Sequence, residues 1–173
     1  MTFGDPGTCR TLRMRTGEVL QIVRSGADTH GRLFEVEAVL PPRLAGPPPH
    51  RHSVETETFH VIDGALRVRI GRRHRDLGPG ESITVAPWTL HGFSNPTDQP
   101  TRIRTVETPA GQLEAQFRAL AEAGRLPPLR TLARINVAHD LSFHLHGVPG
   151  PLQRLLWRAL AALPTRPDTE RHT

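Results

Sequence analysis

No lysine and no tyrosine occur in this chain of 173 residues, and cysteine occurs once. Without lysine no side chain can form a Schiff base with a carbonyl substrate, which removes lysine-dependent aldolase and pyridoxal chemistry. The lone Cys9 has no partner for an intramolecular disulfide. It stands in a Gly/Pro-rich leader with no histidine nearby in sequence, so it reads as a bystander thiol. Long apolar runs are missing too: nothing approaches the roughly 18 to 20 consecutive apolar residues that span a bilayer. The first residues also lack an apolar stretch flanked by basic ones, and a cytoplasmic location is the expectation.

The absence of lysine colours the charge balance. All 22 basic residues are arginines, set against 17 acidic ones for a formal net charge of +5. They are spread along the whole chain rather than gathered on one face or arm, so no nucleic-acid partner is expected and the charge reads as solvated surface. Arg67, Arg69, Arg102 and Arg104 alternate with apolar residues in this way, on presumed outer faces of strands.

What is present is a turn-rich chain with 17 prolines and 15 glycines, of a length that suits one domain with its own core. From about Gly17 to Thr108 short apolar runs of period two are separated by Gly, Pro and Asp-Gly turns, the spacing of a β-sandwich or barrel. In Arg32 to Pro41, Phe34, Val36, Ala38 and Leu40 share one face while Glu35 and Glu37 take the other. Asp63-Gly64 predicts a tight hairpin joining Thr58–Ile62 to Ala65–Ile70. Further strands are expected at Val19–Arg24, Arg73–Leu77, Ser82–Ala86, Gly92–Asn95 and Arg102–Val106.

After Pro109 the period becomes helical. Leu113, Phe117, Leu120 and Ala121 form one face with Gly124 as a stop, a second helix fits Leu129 to Ala138, and a third fits Pro151 to Leu163. The apolar stripe of that third helix, Leu152 to Leu163, is expected to pack on the barrel or a second subunit rather than on a membrane. The chain divides into a leader at 1–16, a barrel at 17–108, a helical extension at 109–163 and a flexible tail at 164–173.

The chemistry concentrates in Gly46 to Gly64. His50 and His52 are one residue apart, which on a strand sends both imidazoles to the same face. Glu57 has the opposite parity, so the chain must bend between Ser53 and Thr56 before Glu57, Phe59 and Val61 can turn inward. Glu55 is the rival carboxylate. Downstream, His91 follows a Pro-containing turn and can supply a fourth ligand. Three imidazoles and one carboxylate suit one divalent transition metal, Fe(II), Mn, Ni, Co, Cu or Zn, and not Ca or Mg. Phe59, Trp88 and Phe93 are candidates for lining a substrate pocket, with plain core packing as the competing reading. His144 and His146, with His139 and Asp140 nearby, lack partner spacing and read as surface or interface histidines.

These residues resemble the two motifs of the cupin superfamily. Gly46, His50, His52, Glu57 and Gly64 match the first, with a somewhat short spacing between Gly46 and His50. Gly80, Pro87, His91 and Asn95 match the second, although Thr89 stands where a glycine is usual and Pro87 is one residue closer to the histidine. The resemblance covers roughly Val19 to Val106. It implies a double-stranded β-helix, the jelly roll, so the expected fold is an all-β jelly-roll barrel with a C-terminal helical extension. It implies His50, His52, Glu57 and His91 as metal ligands, and a homodimer. Among cupins the chain is most similar to the small quercetinase-like monocupins, which implies a metal-dependent dioxygenase acting on a small enol or diol, with Glu57 also serving as catalytic base. A non-catalytic sensor module and a non-redox isomerase or cyclase are the competing expectations, because a fold does not determine its chemistry.

Overall fold

The computed structural model describes residues 10–123, 129–139, 143–145, 147 and 149–163. Cys9, Gly124, Asp140, His146 and the 164–173 tail lie outside the described residues. The strands are β1 (Thr11–Arg13), β2 (Val19–Arg24), β3 (Phe34–Leu40), β4 (His50–His52), β5 (Thr56–Asp63), β6 (Leu66–Ile70), β7 (Arg73–Leu77), β8 (Ser82–Val85), β9 (His91–Ser94), β10 (Thr101–Thr108) and β11 (Phe143–Leu145). The helices are α1 (Leu113–Glu122), α2 (Leu129–Ala138) and α3 (Gly150–Ala162).

The strands form two antiparallel sheets, one of six in the order β1-β2-β3-β10-β5-β8 and one of five in the order β11-β4-β9-β6-β7. Their inner faces make a jelly-roll barrel in which alternation along each strand separates core from surface. On β3, Phe34, Val36, Ala38 and Leu40 are buried, and Phe59, Val61, Leu66, Val68, Leu77 and Ile103 meet them in the core. The outward arginines of β10 do not float free: Arg102 and Arg104 both bond Glu37 on β3. Arg67 is likewise held by Asp76 on β7, at 2.7 Å. Helix α1 closes one side, with Phe117 edge-on to Phe34 at 6.2 Å between ring centres.

Four expectations change here. Asp63-Gly64 does not make a hairpin, because β5 pairs with β10 and β8 while β6 pairs with β7 and β9. The turn instead carries the chain from one sheet to the other. Gly64 is required for that crossing: its φ is +81°, and a Cβ there would lie 2.7 Å from Thr101 Oγ1. The segment read as a leader contributes β1, which pairs with β2 from Thr11 to Arg13.

The helical extension contains β11, which adds an edge strand beside β4. Finally, α3 does not pack its leucine stripe on the barrel: Leu152, Leu155, Leu156 and Leu163 are exposed in the single chain, while Gln153 is buried. The helix packs on α2 instead, with Trp157, Leu160 and Ala161 half-buried. Among the described residues no helix is long and apolar enough to cross a membrane.

Candidate metal centre

Both sheets contribute to one cluster inside the barrel. On β4, His50 and His52 are buried and Arg51 between them is not, as parity requires. The chain then leaves the five-stranded sheet, and β5 begins at Thr56 in the other one. The break falls where the parity conflict demanded it, between His52 and Thr56. Beyond it Glu57, Phe59 and Val61 are buried while Thr58, His60 and Ile62 are not. The third histidine arrives by register, since His91 on β9 is the direct antiparallel partner of His50.

One ligand atom from each of His50, His52, Glu57 and His91 can be chosen so that all lie within 4.8 Å of one another, and all four residues are buried. Glu57 Oε2 is 2.8 Å from His91 Nε2 and 3.7 Å from His52 Nε2. The ring centres of His50 and His91 are 4.4 Å apart, and those of His50 and His52 are 4.9 Å apart. Two carbonyls set the imidazole tautomers. His50 Nδ1 donates to Pro48 O at 2.9 Å and His91 Nδ1 donates to Thr89 O at 2.8 Å. In neutral His50 this leaves the lone pair on Nε2, the arrangement that metal-bound histidines use, whereas His91 donates from both ring nitrogens, to Thr89 O and to Glu57 Oε2, and must give up its Nε2 proton to coordinate.

Burial keeps two of the three imidazoles neutral and able to coordinate. Burial, then the neighbouring charges of His91 and His52, hold His50 down at about 3, so it is neutral and able to coordinate. Burial also lowers His52, against the pull of Glu57. Burial pushes His91 down as well, but its hydrogen bond and charge interaction with Glu57, aided by the Thr89 carbonyl, outweigh that and raise it. A donor set of three imidazoles and a carboxylate, crowded together without an apolar filler, fits one divalent transition ion.

Sequence reasoning missed Glu107. It sits on β10 directly opposite Glu57, is fully buried, and has neither carboxylate oxygen hydrogen-bonded among the described residues. Its Oε1 lies 3.9 Å from His52 Nε2. Burial, then the charges of Glu57 and Glu55, push it up to about 10. The signal was present in TRIRTVET, where strict alternation puts Glu107 on the face of Ile103 and Thr105. It was overlooked because a carboxylate at a strand end reads by default as surface. Glu55, the rival ligand, is buried but not among the four: it accepts the Val54 N–H at 3.3 Å and leans on the turn at Gly111.

The pocket candidates separate. Phe59 is fully buried in the core against Phe93, 5.4 Å between ring centres, and Phe93 is half-buried. Trp88 is 55% exposed, with its ring 5.2 Å from that of His144. His144 is therefore not a surface histidine: pairing of β11 with β4 tucks it beneath Trp88, where it is buried. Asn95 does not join the site either. Its amide bonds the carbonyls of Pro41 and Gln99 and accepts from Thr97, tying two loops together. In the turn before His91 the left-handed residue is Trp88, with φ of +61°. Thr89, where the motif resemblance expects a glycine, is not in the left-handed region, so its side chain meets no such backbone strain.

A two-sheet jelly roll with three histidines and a glutamate gathered inside it defines the class of protein: a β-barrel with an internal site able to hold a metal ion. Residues 36–107 match the family model described as Cupin domain. Solved structures agree at the level of fold. KdgF from Halomonas sp. superposes with a TM-score of 0.50 at 22% identity, covering 62% of this chain and 94% of that one. An RmlC-like cupin from Shewanella frigidimarina NCIMB 400 does so with a TM-score of 0.50 at 17% identity, covering 64% and 90%. Comparison with curated proteins gives no match.

Proposed function

We propose that this cupin-like domain binds one divalent transition metal through His50, His52, Glu57 and His91 and is a metal-dependent dioxygenase for a small enol or diol. The observation that carries the metal reading is the buried cluster of four convergent ligand atoms drawn from both sheets. Four protein donors leave an open position on any ion that takes five or six ligands, which suits catalysis better than a purely structural role. Bound there, the ion would supply Lewis acidity toward a chelating hydroxyl or carbonyl oxygen and a site for O₂.

The chain's own part is to hold and move protons. Glu57 is both ligand and base: it is the one carboxylate among the four donors and can accept a substrate hydroxyl proton. The barrel wall of Phe59 and Phe93 keeps water from the apolar side. A second reading, a non-redox isomerase or cyclase, draws support from Glu107, which puts a further carboxyl beside the site for proton transfer.

Elemental analysis of protein purified without a metal-affinity step tests the first claim: near-stoichiometric metal is expected, and His52→Ala should lose it. Full occupancy in that variant would remove the ligand assignment. Oxygen uptake with a panel of flavonoids, diketones and catechols separates the two chemistries, because isomerisation and cyclisation consume no O₂.

A further inference from the structure

Among the described residues nothing hydrogen-bonds the buried Glu107 carboxyl. On β10 its neighbours across the ladders are Phe34 on β3 and Glu57 on β5, and neither offers a proton. Glu55 adds a further negative charge nearby. His52 Nε2 is 3.9 Å from Oε1, too far for a hydrogen bond. A carboxyl removed from water without a partner costs folding free energy, and such groups are rare unless something outside the protein completes them. The same carboxyl lies on the inner face of the barrel beside the four-residue cluster, and the strand register holds it there.

Distances say what could complete it. Ligand atoms sit roughly 2.0 to 2.2 Å from an ion of this class, so two of them on one ion are separated by roughly 3 to 4.3 Å. Glu107 Oε1, 3.9 Å from His52 Nε2, stands in the upper part of that range, but it is not among the four donors that converge. It therefore flanks the coordination sphere on the side of His52 and Glu57, where a non-protein ligand of the ion would come within hydrogen-bond reach. We infer that Glu107 hydrogen-bonds the non-protein ligand of an ion held by His50, His52, Glu57 and His91, and so selects oxygen or nitrogen ligands with a lone pair or hydroxyl directed at β10. The inference rests on the metal reading above, and makes Glu107 a specificity-determining group for a small hydroxyl- or carbonyl-bearing substrate.

The test uses the full chain loaded with Co(II), with azide as the probe of the open position. Wild type, Glu107→Gln and Glu107→Leu should each bind one Co(II) per chain, because the four ligands are intact. Azide affinity, read from the visible Co(II) spectrum, should weaken several-fold in Glu107→Leu and stay within about twofold of wild type in Glu107→Gln, whose amide can still hydrogen-bond. A crystal structure of the wild-type Co(II)–azide complex should place a Glu107 oxygen within hydrogen-bond distance of the azide, and this arm decides even where the leucine variant fails to fold. Unchanged azide affinity in Glu107→Leu, tighter binding in both variants, or a Glu107 carboxyl turned away from the azide would overturn the role. Failure of wild type to bind Co(II) would instead overturn the metal reading itself.

Discussion

Trp88 donates its backbone N–H to the carbonyl of His52 at 2.8 Å. The turn that delivers His91 is thereby tied to the strand that delivers the other two histidines, and it is tied through a residue in the left-handed region, φ +61°. A side chain in that region costs about 1 kcal/mol relative to glycine. Trp88→Gly should therefore be more stable than Trp88→Ala by about 1 kcal/mol in urea denaturation, since both lose the packing against His144 and only glycine relieves the backbone. Equal stabilities would mean that the turn relaxes when the indole is gone.

Gly46 shows the opposite constraint. With φ of +70°, a Cβ there would lie 1.8 Å from the Phe93 carbonyl oxygen. Gly46→Ala must push β9 away from the loop leading into β4, and should cost at least about 2 kcal/mol while weakening metal binding. Denaturant midpoints and a chelator-competition titration measure the two effects, and retention of both would contradict the close approach.

Metal-stripped protein should show two pH limbs of opposite sign. His50, held at about 3 mainly by burial, is neutral when folded but takes a proton in the unfolded chain below its ordinary 6.5. Stability therefore falls as pH drops from about 6.5 toward 3. Glu107, pushed up to about 10, keeps its proton when folded while the unfolded chain releases it above 4.5. Stability therefore also falls as pH rises from 4.5 toward 10. The raised His91 adds to this alkaline limb, because its contribution is present below 6.5 and is lost as pH rises through its folded value. Denaturation midpoints across pH should flatten on the alkaline side in Glu107→Gln and keep the acid limb.

Asn95 is buried and spends its amide on backbone of the 41–44 and 97–99 loops. Asn95→Ala leaves those groups unpaired and should cost about 2 to 3 kcal/mol. Because Asn95 touches none of the four candidate ligands, metal stoichiometry measured on the folded variant should stay at the wild-type value.

The extension should protect the histidine strand. β11 covers the edge of β4, pairing His144 with Arg51 and Leu145 with His50. A chain ended after Ala138 should show faster amide hydrogen exchange in His50–His52 than the full chain, while β3 and β10 in the other sheet keep their protection. Unchanged exchange in β4 would mean that β11 contributes nothing to that edge.

Much of this was legible beforehand because parity is a local rule. The buried face of β3, the inward pair His50 and His52, the break before Thr56 and the inward Glu57 all follow from side chains alternating along a strand. The helices at Leu113–Glu122 and Leu129–Ala138 followed from period alone. Pairing is not local, and there the reading failed. Asp63-Gly64 has the composition of a hairpin turn, but whether its two strands pair depends on β10 and β9 competing for their edges. Phe143 to Leu145 is too short and too mixed to announce a strand, and becomes one only because β4 leaves an edge beside it.

By itself, then, the sequence determined which residues face inward on each strand, that His50, His52 and Glu57 could share an interior, and which chemistries the absence of lysine removes. Only the tertiary structure decided that His91 sits opposite His50, that Trp88 rather than Thr89 takes the left-handed turn, and that Glu107 stands across from Glu57 beside the cluster. The physical reason is that facing is set by the geometry of one strand, whereas register and strand order are set by competition among distant segments for the same hydrogen bonds and the same core.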